Sequence, residues 1–174
     1  MPLPVAHSLL GATVVGALTP DPFNRKKELL LGALLGVVPD FDYLLNQLPN
    51  SSRGWHHGFT HSFVFALVLG TLTALCVGKL RVREVLIYSL ATLSHPLLDF
   101  VVTESHGIAL LWPFTDQRFK LLLPGPITYS WRTTSFAATV LDLLKISLTE
   151  LLIFAPVLCI VLWFKRPKAE AGVS

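Results

Sequence analysis

The sequence predicts an all-α integral membrane protein, a helical bundle with four to five transmembrane helices and outward-facing loops. Of its 174 residues, 52% are hydrophobic and only 14% are charged, and the mean hydropathy is +0.61. Soluble domains carry about 25% charged residues, and a soluble chain this short has no core large enough to hide so much apolar surface. Short basic clusters separate long apolar runs, which is the pattern of membrane flanks.

Five apolar segments account for the predicted helices. A membrane span needs about 20 residues, with a range of about 17–25. The last four segments meet this requirement, whereas the first is short and is compatible with a span or with a re-entrant or interfacial helix. In the second segment, Gly36 and Pro39 predict a kinked or unwound stretch. The segments are residues 3–19, 28–48, 62–78, 84–102 and 144–164.

The chain shows no shift in composition that would mark a second domain. We therefore predict one membrane-embedded domain over residues 1–168 and a flexible tail over residues 169–174. Cys76 and Cys159 lie within apolar runs and are expected to be small core side chains rather than a disulfide or a metal-binding pair. The formal net charge of +3 comes from clustered flanking residues, so we predict no nucleic-acid partner.

The distribution of Lys and Arg predicts the orientation in the membrane. Three clusters hold nine basic residues, at positions 25–27, 79–83 and 165–168, and the opposite connections hold Arg53, Arg118, Lys120 and Arg132. Cytoplasmic loops carry the excess of basic residues. The sequence therefore predicts a multi-pass protein of the inner membrane with a cytoplasmic C-terminus, and with its N-terminus and the loops 49–61 and 103–143 outside.

This topology brings potential metal ligands to the outer side of the membrane. His95 and Asp99 are four residues apart, so they share one face of a helix. Ionisable groups within membrane helices are costly and by default imply a function or a partner. The other members come from separate segments. They are His7, Asp40, Asp42, His56, His57, His61 and His106.

Each part of this group has a structural alternative when it is taken alone. His95 and Asp99 would form a hydrogen bond that packs two helices, Asp40 and Asp42 would be solvated at a helix end, and the loop histidines would be surface groups. Imidazole and carboxylate groups are also the usual ligands of zinc and similar ions. Because ligand-type side chains arrive from several segments together, we predict a site for a divalent metal, with zinc favoured.

A set of short motifs also resembles a known family. The motifs are His7, Gly36-x-x-Pro39-Asp40-x-Asp42, His56-x-Gly58-x-Thr60-His61-Ser62, Ser94-His95-x-x-x-Asp99 and Gly107 with Leu111-Trp112-Pro113-Phe114. Together, over about residues 7–120, they resemble the YdjM-like family of inner-membrane-associated, predicted metal-dependent hydrolases. That family often has Arg where this chain has His57, which leaves His57 as an extra ligand or as a neutral replacement. The motifs also resemble zinc-dependent phospholipase C proteins, which implies a phosphoester substrate.

These observations predict a membrane-bound, metal-dependent hydrolase that acts on a phosphoester or lipid-linked substrate at the outer membrane face. His7, Asp40, His56, His61, His95 and Asp99 are the predicted metal ligands. Asp42 and His57 are the predicted catalytic residues, each as general base or as an orienting group. The partners are the lipid bilayer and a lipid or lipid-linked substrate, with residues 108–114 and the basic residues 118, 120 and 132 near the headgroups. The alternative is a non-enzymic membrane protein with a structural or transport-related site.

Reporter fusions test the predicted topology. A fusion after residue 52 is expected to report an extracytoplasmic position, and a fusion after residue 170 a cytoplasmic one, because the basic residues favour the second side by nine to four. Paired alkaline phosphatase and green fluorescent protein fusions measure both. Cytoplasmic activity at residue 52 would contradict the orientation.

Overall fold

The computed structural model describes residues 2–20, 26–45, 56–102, 106–121, 123 and 135–166. Over these ranges the chain is all-helical, without a strand, as predicted, and Ile108 and Phe119 form an isolated antiparallel bridge. The α-helices are α1 Pro4–Leu18, α2 Lys26–Leu35, α3 Asp42–Leu45, α4 Phe63–Cys76, α5 Val82–Val102 and α6 Phe136–Phe164, with 3-10 helices at Val38–Phe41 and Phe59–His61. The predicted tail, residues 169–174, lies outside these ranges.

The helices differ in their ability to cross a membrane. Among the described residues, α5 with 21 residues and α6 with 29 are long and apolar enough to span one. The helices α1 and α4 are apolar but shorter, with 15 and 14 residues. The second apolar segment does not form one long helix, because α2 ends at Leu35. The structure therefore supports two spans by length, and the predicted count of four to five is not confirmed.

Glycine residues allow close helix packing around α1, which contacts α2, α5 and α6. A Cβ atom at Gly11 would overlap the Gly32 carbonyl oxygen, and one at Gly36 would overlap the His7 carbonyl oxygen. Small residues four apart, as at Gly32 and Gly36, are typical of closely packed membrane helices. The helix α4 packs on α5 in the same way, because Gly70 faces the Ser89 backbone. This packing brings the start of α1 next to the break after α2.

The basic residues gather at one end of the bundle. Lys79 forms an ion pair with Glu28, and Arg83 donates a hydrogen bond of 2.6 Å to the carbonyl oxygen of Leu18 at the end of α1. The helix α6 also ends there, since Gly16 lies against Val161 and Leu162. His7, at the start of α1, lies at the opposite end.

Glu150 connects α6 to the beginning of α1. It is fully buried, and its carboxylate accepts hydrogen bonds from the backbone N–H groups of Leu3 and Ala6, the latter at 3.0 Å. The first N–H groups of a helix have no partner within the helix, and a carboxylate there also interacts favourably with the helix dipole. Glu150 therefore fixes the position of α1 along α6.

The expectation that both cysteines are core residues is wrong. Cys76 and Cys159 are free thiols on exposed faces of α4 and α6. An apolar run does not identify its packed face when lipid can cover the other side. The exposed face of α6 is large, and Leu152 and Phe164 on it are 67% and 81% exposed.

Substitution of Glu150 tests its role as a cap. Glu150→Ala leaves two buried N–H groups without their acceptor, which is expected to cost about 1–3 kcal/mol for each group, whereas Glu150→Gln retains one acceptor oxygen and should lose less. Chemical unfolding in detergent measures the change. Thr149→Ala is the matched control, because the Thr149 hydroxyl donates to the Lys145 carbonyl oxygen in an exposed turn of the same helix. Equal stability of Glu150→Ala and the control would contradict the assignment.

Candidate metal centre

The break after α2 turns two carboxylates inward. Pro39 and Gly36 interrupt the helix where the sequence predicts it, and a 3-10 turn over Val38–Phe41 leads into α3. As a result Asp42 is 2% exposed, and the side chain of Asp40 is 14% exposed. In a regular helix, residues two apart do not face each other, so the break is what lets both carboxylates point toward one site.

The loop before α4 supplies three histidines. Ser62 caps α4 by accepting a hydrogen bond of 3.1 Å from the N–H of Phe65, so the helix begins at Phe63, two residues after His61. His57 has a φ of +60°, and this left-handed conformation costs a non-glycine residue about 1–2 kcal/mol. The backbone therefore bends sharply at His57, whose imidazole is buried.

His95 is held in one tautomer by the break after α2. Its Nδ1 atom lies 2.7 Å from the Gly36 carbonyl oxygen, which can only accept a hydrogen bond. Nδ1 therefore carries a proton, and the Nε2 atom of the neutral ring presents a lone pair. Asp99, one turn further along α5, lies on the same face, with 3.2 Å between its Oδ2 and His95 Nε2.

His61 is oriented in an equivalent way. Thr60 donates its hydroxyl proton to Asp42 Oδ2 at 2.6 Å, which leaves the Thr60 oxygen to accept from His61 Nδ1 at 2.9 Å. The Nε2 atom of His61 then also presents a lone pair, and it lies 3.1 Å from His95 Nε2. Two neutral imidazoles cannot hydrogen-bond to each other through two lone pairs, and a proton or a metal ion between them would stabilise the arrangement.

Four electron-rich atoms meet at this point. They are Oδ1 of Asp40, Nε2 of His61, Nε2 of His95 and Oδ2 of Asp99, and they lie within 4.8 Å of one another. His95 Nε2 lies 3.3 Å from Asp40 Oδ1 and 3.2 Å from Asp99 Oδ2. His61 Nε2 lies 3.8 Å from the same Asp40 oxygen and 3.5 Å from the same Asp99 oxygen. Tetrahedral ligands about 2.0–2.2 Å from a zinc-like ion are about 3.3–3.6 Å apart. The donor set therefore fits such an ion in both chemistry and spacing.

Two further predicted ligands stand at the edge of this group. His7 is fully buried and stacks on His95 with 3.7 Å between ring centroids, and its Nε2 lies 3.6 Å from Asp99 Oδ1. His56 Nδ1 lies 2.8 Å from Asp42 Oδ1, while its buried Nε2 makes no hydrogen bond within the described part of the chain. The structure thus brings every predicted site residue into one cluster, and it does not assign their roles.

Burial and charge act differently on the two buried loop histidines. Burial lowers the pKa of His57 to about 3, and the neighbouring Asp99 carboxylate opposes this shift only in part. Burial also disfavours the charged form of His61, but hydrogen bonds to Asp42 and Asp99 outweigh it and raise its pKa. At neutral pH, His57 is therefore an uncharged imidazole, the form in which histidine binds metals.

Residues 106–121 cover the histidine loop. The N–H of Ala109 donates to the His57 carbonyl oxygen at 3.1 Å, and the N–H of Phe63 donates to the Leu110 carbonyl oxygen at 3.0 Å. Arg118 donates to the Gly107 carbonyl oxygen at 3.2 Å, close to the cluster. His106 is exposed and joins none of the donor groups formed by the described residues. Arg132, predicted near the headgroups, lies outside those residues.

Two functional contacts escape the sequence analysis. The Gly36 carbonyl oxygen fixes the tautomer of His95 and belongs to a backbone group, which no side-chain motif reveals. Glu150 positions α1, and therefore His7, from a helix that carries no other part of the site. A lone carboxylate in an apolar helix is a signal that could have identified Glu150.

Loss of one donor tests the metal centre. Asp99→Ala and His61→Ala are each expected to abolish stoichiometric zinc binding, because each removes one of four converging donors. Mass spectrometry of metal content in the purified, zinc-equilibrated protein measures this. His106→Ala removes an exposed imidazole outside the cluster and should retain wild-type zinc. Full zinc in all three variants would contradict a metal centre at these residues.

Comparison with known proteins agrees with the membrane character of the fold. The family described as "YdjM inner membrane protein" matches residues 1–169. The "Inner membrane protein YbcI" of Escherichia coli (strain K12) is 32% identical over 151 residues, which cover 79% of this chain and 84% of that protein. No solved structure matches the chain. The chain belongs to the YdjM inner membrane protein family.

Proposed function

We propose that this protein is a membrane-bound, metal-dependent hydrolase that acts on a phosphoester or lipid-linked substrate at the outer face of the inner membrane. The observation that carries the proposal is the convergence of Asp40, His61, His95 and Asp99 with the spacing of a zinc-like ligand shell. A divalent ion held there, with zinc favoured by two nitrogen and two oxygen donors, would lower the pKa of a water molecule toward 7 and polarise a phosphoryl or acyl oxygen.

The protein side chains have separate tasks in this proposal. Asp40, His61, His95 and Asp99 hold the ion. The Gly36 carbonyl oxygen orients His95, and Asp42 orients His61 through the Thr60 hydroxyl. His7 packs against His95 and stands beside Asp99, where it is available as a further ligand. Of the two roles left open for His57, the lowered pKa of its imidazole favours that of a neutral ligand over that of a general base.

His56 is the best-placed proton acceptor. Asp42 accepts the proton on His56 Nδ1, which leaves the lone pair of the neutral ring on Nε2. The His56 side chain is the most exposed imidazole in the cluster, at 19%, while its Nε2 atom is buried. In hydrolysis, water adds to phosphorus or to the acyl carbon, the bond to the alcohol oxygen breaks, and the alcohol departs with a proton. His56 Nε2 takes the proton from the water and returns it to the leaving oxygen, as general acid–base catalysis requires.

We also propose a multi-pass topology of four to five helices, with the metal centre outside and the C-terminus in the cytoplasm. The contacts of Lys79 and Arg83 support it, because they gather basic residues at the end of the bundle opposite the cluster. The excess of basic residues belongs on the cytoplasmic side.

The orienting and proton-transfer roles predict a loss of rate without a loss of metal. Asp42→Asn is expected to lower turnover about 10–100-fold, and His56→Gln about 10²–10⁴-fold. Zinc content and turnover of a panel of vesicle-borne phospholipids are measured on the same preparations, with His106→Gln as the matched histidine control. Loss of zinc in both variants would instead make Asp42 and His56 part of the ligand shell.

A further inference from the structure

The lengths of the helices determine how deep the cluster lies. The bundle end marked by Arg83 and the Leu18 carbonyl oxygen is the end where basic residues meet the cytoplasmic interface. At about 1.5 Å per helical residue, His7 is about 17 Å from the end of α1, and His95 is about 20 Å from the start of α5. The hydrocarbon layer is about 30 Å thick, so the cluster lies short of its outer edge.

The longest helix gives the same depth independently. On α6, Lys145 pairs with Asp142 at 3.8 Å, and the Lys145 side chain is 75% exposed. Between this pair and the C-terminal end of α6, the residues 146–164 carry one charged group, the buried Glu150. These 19 residues span about 29 Å, which places Lys145 at the outer interface. Because α1 begins beside Glu150, His7 lies about 10 Å below Lys145.

The side of the cluster that is open faces apolar surface. Asp40 and His56 are its most exposed members, at 14% and 19%. Beside them Phe41, Tyr43 and Leu44 are 59%, 55% and 62% exposed, and the Tyr43 ring lies 6.0 Å from the His56 ring. Exposed apolar side chains next to buried ionisable groups are expected at an opening toward lipid rather than toward water.

We infer that the metal centre lies about 10 Å inside the outer hydrocarbon boundary, and that its substrate is a long-chain membrane lipid that enters sideways from the bilayer, past Phe41, Tyr43 and Leu44. The inference rests on the proposed function for its chemistry and on the helix lengths for its geometry. A water-soluble ester would have to leave water to reach Asp40 and His56, whereas the acyl chains of a lipid already occupy this depth and its ester groups lie at the adjacent hydrocarbon boundary. Tilted helices would only increase the depth, because tilt shortens their projection on the membrane normal.

Spin labels measure the depth directly. In a Cys76→Ser, Cys159→Ser background, one label replaces Leu97, which lies between His95 and Asp99 and is 42% exposed. A second replaces Leu144 at the proposed interface, where the side chain is 61% exposed. In vesicles of phosphatidylcholine and phosphatidylglycerol, the Leu97 label should collide with oxygen far more than with a water-soluble nickel chelate, and the Leu144 label should show the reverse. Equal access of the chelate to both labels would overturn the inference.

A substrate comparison separates this inference from the proposed function. Zinc-loaded protein in the same vesicles receives either long-chain phosphatidic acid in the bilayer or water-soluble p-nitrophenyl phosphate. Turnover of the lipid alone supports both proposals. Equal turnover of the soluble ester overturns lateral entry and leaves the hydrolase intact. If the protein neither binds zinc nor turns over either ester, the proposed hydrolase function is contradicted. The depth of the spin labels then still decides whether the cluster lies inside the hydrocarbon layer.

Discussion

The structure depends on one electrostatic constraint, which is that four electron-rich atoms from three chain segments meet in a buried place. Two imidazole nitrogens, from His61 and His95, are 3.1 Å apart, and the carboxylates of Asp40 and Asp99 complete the group. Uncompensated burial of such groups is costly, and a proton or a metal ion between them removes the cost. The contacts of the outer ring nitrogens favour a metal ion over a proton. Because Gly36 and Thr60 occupy the outer nitrogens of both rings, the inner nitrogens are free to act as ligands.

The helical scaffold is arranged to maintain this convergence. Gly11, Gly32 and Gly36 let α1 approach α2 closely enough for His7 to stack on His95. Glu150 on α6 bonds to the first N–H groups of α1 and so fixes the position of α1 along α6. The break at Pro39 replaces regular helix by a 3-10 turn, which directs Asp40 and Asp42 inward. Irregular backbone at membrane depth is tolerated where it lines a site. Packing, capping and helix breaking thus act on the same few side chains.

Much of this arrangement could be predicted from the sequence, because topology alone brings the histidines and aspartates to one side. The basic residues identify the opposite side, and the i, i+4 spacing of His95 and Asp99 identifies a shared face. The roles within the cluster could not be predicted in this way. The tautomer of His95 depends on a backbone carbonyl group, and the contact between His56 and Asp42 depends on the fold of a loop. The burial of Cys76 was predicted incorrectly, because an apolar sequence does not distinguish a protein-facing from a lipid-facing side.

In the proposed site, Asp40, His61, His95 and Asp99 form the ligand shell of one zinc-like ion. Zinc-edge X-ray absorption spectroscopy of the purified protein with one equivalent of zinc tests this ligand set. We expect nitrogen and oxygen donors at about 2.0–2.2 Å with the outer-shell scattering of imidazole rings, and no stoichiometric zinc in a His61→Ala, His95→Ala variant. Sulfur donors at about 2.3 Å, or a spectrum without imidazole scattering in the wild-type protein, would contradict it.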